Sequence, residues 1–61
     1  METQRVKEII EAPTMINVSY KGVPVYIESL DDSSRTAVVF PLDEMDHLQE
    51  VDIDGLVEEG P

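Results

Sequence analysis

The sequence predicts a mainly β fold with one short N-terminal helix, in the α+β class. Its architecture is expected to be a small antiparallel meander or an SH3-like partly open barrel of three to four strands. Three observations carry this expectation. Val18 to Leu30, VSYKGVPVYIESL, is two β-branched and aromatic runs around a Lys-Gly pair. Thr36 to Leu42, TAVVFPL, is a further run of strand-forming residues. Val6, Ile9 and Ile10 recur at i, i+3 and i+4, which places them on one face of a helix ahead of the strands.

The helix is expected over Thr3 to Glu11, with Thr3 as its N-cap. Pro13 ends it, because proline biases the preceding Ala12 away from the α region. A helix this short does not persist alone in water, so its Val/Ile stripe must dock on the sheet or on a second copy. Arg5, Lys7, Glu8 and Glu11 form its remaining surface, with Lys7 and Glu11 spaced to pair at i, i+4.

Met15 to Leu30 reads as a hairpin. Val18 and Tyr20 alternate with Ser19, and Val23, Val25 and Ile27 alternate with Pro24, Tyr26 and Glu28, so each set takes one face. Gly22 supplies the positive φ of a tight reversal, and Lys21 tolerates the position before it. Pro24, which donates no ladder hydrogen bond, fits a strand start. Asp31 to Ser34 is a polar turn. The third strand, from Thr36, is apolar on both faces and so is expected inside the sheet, with Pro41 ending it. Asp43 to Gln49 is an exposed loop or single helical turn. Glu50 to Ile53 offers a short fourth strand with Val51 and Ile53 inward, and Leu56 and Val57 a turn capping the sheet. One small domain, 1–61, is expected, with the helix at about 3–11, the sheet at about 15–57 and a frayed tail at 58–61.

Size and charge bound the function. A chain of 61 residues buries only about 60% of the surface its unfolded form exposes. With no cysteine, neither a disulfide nor a Cys-based metal site supports it. Fourteen acidic residues against four basic ones give a formal net charge of −10. Phosphate contacts are made by Lys and Arg, so this balance opposes nucleic-acid binding and binding to anionic membrane. It favours solubility and a cationic partner. Below the pI of 4.1 the sign reverses. With the carboxylates protonated, the basic groups leave roughly +6, which suits solubility in acid. The N-terminal stretch METQRVKEIIEAP lacks the apolar run of a signal peptide, and no segment approaches a membrane span. A cytoplasmic setting is the expectation.

No motif points to catalysis. His47 is the sole histidine and sits in a charged loop with Asp43, Glu44 and Asp46, without the His/Cys framework of a zinc site. No nucleophile-elbow spacing surrounds any serine, and the three glycines stand too far apart for a phosphate loop. Asp52, Asp54 and Gly55 resemble part of a calcium loop, but with Gly55 at the sixth position the twelfth falls on Pro61 where a bidentate Glu is required. No catalytic, cofactor or metal residues are assigned, and no enzyme activity is expected. Tyr20 and Phe40 are expected in the core. Tyr26 falls on the face opposite Val25 and Ile27, so with Arg5 and Lys7 it makes up the candidate interaction surface.

Taken in order, Gln4, Arg5, Lys7 and Glu8; Gly22, Pro24, Val25 and Ile27; Thr36 and Ala37; Pro41, Leu42 and Asp43; and Val51 with Leu56 form a series that spans nearly the whole chain. In this order and spacing the chain resembles the H-type small acid-soluble spore protein family. Members often carry a basic residue after Thr-Ala, where this chain has Val38. The resemblance implies a small protein of spore-forming bacteria, made during sporulation and held in the spore core. It transfers no catalytic or ligand residues. DNA coating, known for the α/β-type spore proteins, does not carry over, because this chain does not look like them.

The expectation is thus a non-enzymatic, acidic spore-core protein with a structural, storage or protein-interaction role, and no cofactor. The alternative is a small β-barrel interaction module, with nucleic-acid binding disfavoured by charge. The expected partner is another protein or a second copy, as in a homodimer. No membrane and no small-molecule substrate are expected.

Overall fold

The computed structural model describes residues 1–60. The chain forms α1 (Thr3–Glu11), β1 (Asn17–Tyr20), β2 (Val23–Asp31), β3 (Thr36–Pro41), β4 (Gln49–Asp52), a 3-10 turn (Ile53–Gly55) and β5 (Leu56–Gly60). The strands make one antiparallel sheet in the order β4-β3-β2-β1-β5. The class expected from the sequence is the one observed, a mainly β fold with one N-terminal helix.

The link between β4 and β5 shapes the sheet. These strands are consecutive in the chain yet lie at opposite edges, joined by a three-residue turn. The edges of a flat five-stranded sheet would lie roughly 19 Å apart, at about 4.8 Å per spacing. Three 3-10 residues advance only about 6 Å. The sheet must therefore curl until its edges approach. It stays open, since β4 and β5 do not pair among the described residues. The sheet combines features of the two architectures the sequence left open: β1 to β4 run as an antiparallel meander, and the sheet curls without closing.

A bulge in β2 helps the sheet curl. Register shifts between Ile27 and Ser29, leaving Glu28 without an opposite residue on β3. A bulge bends the strand and increases its twist. It also lets both Ile27 and Leu30 pack on the core, although strict alternation would put them on opposite faces. The β1–β2 turn is as expected: Lys21 and Gly22 have φ of 50° and 85°, the two positive values of a type I′ hairpin.

Val18, Val25, Ile27, Ala37, Val39, Val51, Ile53 and Leu56 line the concave face, and Val6 enters from α1. Val6 and Ile53 are the largest side chains that are completely buried. The helix docks on its own sheet, against β2, with Val6 and Ile9 inward and Ile10 left outside. It ends where Pro13 requires, with Ala12 extended at ψ 139°. Its N-cap is Glu2 rather than Thr3, and no side chain caps it. Instead the Met1 ammonium donates to the Ile53 carbonyl oxygen at 2.8 Å, tying the helix start to the 3-10 turn.

Several expectations need correction. The sheet has five strands rather than three to four, and residues 58–60 are the end of β5 rather than a frayed tail; Pro61 lies outside the described residues. Leu56, expected in a turn, opens β5 and is buried. The segment expected to fray is held by specific donors: Arg5 binds Glu58, and the Ser19 hydroxyl donates to Glu59 at 2.7 Å. Phe40, expected in the core with Tyr20, lies on the outer face directly opposite Tyr26 and stacks on it, with ring centroids 5.3 Å apart. Tyr20 does pack against the core.

Candidate interaction surface

Arg5 and Lys7 project from α1, yet both are engaged within the fold. The Arg5 guanidinium grips Glu58 of β5 as a fork, at 2.8 Å from Nε and 2.6 Å from Nη2, and also reaches Glu8 at 3.0 Å. The Glu58 hydrogen bonds raise the Arg5 pKa further, and Arg5 in turn holds the Glu58 carboxyl below its usual range. Lys7 pairs at 2.9 Å with Asp32 of the β2–β3 turn, not with Glu11, and its pKa is raised chiefly by that bond.

The other two basic residues are also committed. Arg35, at φ 55° in the same turn, reaches Asp54 of the 3-10 turn at 2.9 Å, and its carbonyl accepts from the Ile53 amide at 3.1 Å. The Lys21 ammonium lies 5.4 Å from the Tyr20 ring centroid, within cation–π range. Of the four Lys and Arg residues, three therefore hold carboxylates of their own chain and one sits over an aromatic ring.

The carboxylates that resemble a calcium loop are engaged too. Tyr20 donates its hydroxyl to Asp52 at 2.8 Å, which lowers the Asp52 pKa and raises that of Tyr20. Asp54 holds Arg35. Asp31 accepts from the Ser33 hydroxyl at 2.7 Å and the Ser33 amide at 3.0 Å, which orders the β2–β3 turn and depresses its own pKa. In the β3–β4 loop, His47 Nδ1 is 3.8 Å from Glu44, beyond hydrogen-bond length, and both side chains are exposed.

Tyr26 stands apart from Arg5 and Lys7 in kind. It is exposed, held by the Phe40 stack, and lines a groove of about 250 Å³ between the end of α1, the segment 12–16 and β2. Ile9, Ile10, Met15 and Ile16 share that groove. The sequence reading assigned Ile10 to the docked stripe and Met15 to the hairpin, and so missed both. One signal was available: Ile9 and Ile10 are adjacent on the helix, about 100° apart, so a short docked helix struggles to bury both.

Comparison with known proteins agrees with the order of motifs. The small acid-soluble spore protein H family matches residues 1–58. "Small, acid-soluble spore protein H" of Bacillus licheniformis is 45% identical over 58 residues, 95% of this chain and 98% of the relative. The protein of the same name from Bacillus subtilis is 44% identical over 59 residues, 97% of this chain and all of the relative. That from Alkaliphilus metalliredigens is 41% identical over 58 residues. No solved structure matches the chain. With the match running from the helix into β5 and covering nearly the full length of its relatives, the chain belongs to the small acid-soluble spore protein H family.

Proposed function

We propose that the protein is a non-enzymatic component of the spore core, made during sporulation, with a structural, storage or protein-interaction role. The observation that carries this reading is the family match over residues 1–58. Two structural features support it. The titratable side chains with perturbed pKa values are explained by ion pairs, the Tyr20–Asp52 hydrogen bond and a turn that hold the fold, and none of them lines the groove beside Tyr26. The basic residues are engaged internally, which favours a protein partner over a nucleic acid. In this reading Tyr26 carries the interaction surface, while Arg5 and Lys7 serve mainly to dock the helix.

Acid extracts of dormant spores and of vegetative cells, probed for this chain, test the reading. The protein is expected in the spore extract alone. Equal amounts in growing cells would overturn the spore assignment and favour a general β-barrel interaction module.

A further inference from the structure

The groove beside Tyr26 has features that narrow what it can take. Ile10, Met15 and Tyr26 are 37%, 56% and 45% exposed along it, so three large apolar side chains are presented together rather than a single stray one. Its volume of about 250 Å³ lies below the roughly 300–1,000 Å³ of small-molecule sites, which leaves room for one or two apolar side chains. The Tyr26 ring is fixed by its stack on Phe40, so binding against it loses little side-chain freedom.

The charged residues that adjoin the groove's lining residues in the chain are acidic. Glu11 follows Ile10 in the chain and Glu28 follows Ile27, both neighbours being lining residues. Both glutamates are exposed, and among the described residues neither forms an ion pair. The nearest cations on the helix, Arg5 and Lys7, are held by Glu58 and Asp32. A second copy of the chain would bring another charge of −10 to the same place, so self-association through this face is opposed.

Resting on the reading of the protein as an interaction component, we infer that the groove docks a basic amphipathic segment of another protein. Apolar side chains of that segment enter between Ile10, Met15 and Tyr26, and its Lys or Arg residues face Glu11 and Glu28. The apolar contacts supply affinity, and the acidic flanks select the sign of the partner and raise its on-rate.

An NMR titration of the full chain tests this with a short helical Lys/Leu peptide whose leucines recur at i, i+3 and i+4. Length-matched Lys/Ser and Glu/Leu peptides serve as controls. Amide shifts are expected to cluster at residues 9–16 and 25–28 with Lys/Leu, and to be weak or absent with both controls. Met15→Gln lies outside helix and strands, so it leaves the fold intact; it and Tyr26→Ser should each weaken binding about 5- to 30-fold. Glu11→Gln with Glu28→Gln should weaken it and flatten its salt dependence. The inference is overturned by equal binding of Lys/Ser, by shifts spread over the acidic surface, by no binding up to about millimolar peptide, or by a light-scattering mass showing that only copies of the chain associate. If the groove fails while the chain still appears only in spore extracts, the spore assignment stands and only the docking surface falls.

Discussion

The 3-10 end of the sheet and the β3–β4 loop are built from similar residue types and treat them oppositely. At the first, Ile53 and Val6 are completely buried, Tyr20 lies against Gly55, and Met1, Arg5 and Arg35 bind groups on distant elements. In the second, Leu42, Met45 and Leu48 are exposed, and the side chains of Glu44 and His47 do not reach hydrogen-bond distance of each other. Sequence composition alone does not separate them, since each mixes apolar residues with acids. Connectivity does. The 3-10 turn must carry the chain between the two edges of the sheet, so every group there is within reach of another element. The β3–β4 loop joins neighbouring strands and is asked to close nothing.

Substitutions should break this contrast unequally. Ile53→Ala should have the largest effect, about 2–5 kcal/mol of destabilisation for removing completely buried atoms. For a domain this small that is a large part of total stability. It reads as a strongly lowered urea midpoint, while the same readout for Met45→Ala should stay within about 0.5 kcal/mol.

Gly55→Ala comes next. An added Cβ would stand 2.5 Å from the Tyr20 Cε1 atom, so ring or turn must move. About 1–3 kcal/mol is expected. Pairing it with Tyr20→Leu should recover part of the loss, because the conflict is with the ring and not with the glycine backbone. An additive double mutant would contradict this. Gly22→Ala should lose about 1–2 kcal/mol for a different reason: its φ is 85° and nothing stands nearby, so the penalty is conformational and no second-site change should relieve it.

The comparison also shows what the sequence could and could not reveal. The helix bounds, the Lys21-Gly22 reversal and the inward Val51 and Ile53 were legible because each rests on local chemistry or short-range periodicity. β5 was not. It read as a turn followed by a frayed tail, because the donors that hold its acids, Arg5 and Ser19, are 53 and 40 residues away in the chain. The bulge at Glu28 was hidden for a similar reason: it is set by the register against β3, which shifts between Ile27 and Ser29. Of the candidate surface, the exposure of Tyr26 followed from strand parity. The pairing of Arg5 and Lys7 with Glu58 and Asp32 depended on tertiary placement.

Arg5→Gln should have a smaller effect that depends on pH. Glu58 has a depressed pKa in the fold, so its pairing with Arg5 stabilises fully above its unfolded value, about 4.3. That contribution is lost as pH falls through the depressed value. The gap in urea midpoint between the parent and Arg5→Gln should therefore be present at neutral pH and narrow in acid. NMR titration should show Glu58 returning toward the ordinary carboxylate range in the variant. Likewise, Tyr20→Phe should raise the pKa of Asp52 by removing the hydroxyl that donates to it.

The cations are engaged within the fold, and the proposed preference for basic partners over DNA rests on that. Fluorescence anisotropy with a labelled DNA duplex at low ionic strength tests this most directly, because phosphate binding is strongest there. The account predicts no increase in anisotropy at any protein concentration, with the parent or with Glu58→Gln. Binding that weakens steeply with added salt would contradict it, and would mean that Arg5, Lys7, Lys21 or Arg35 leaves its internal partner to hold phosphate.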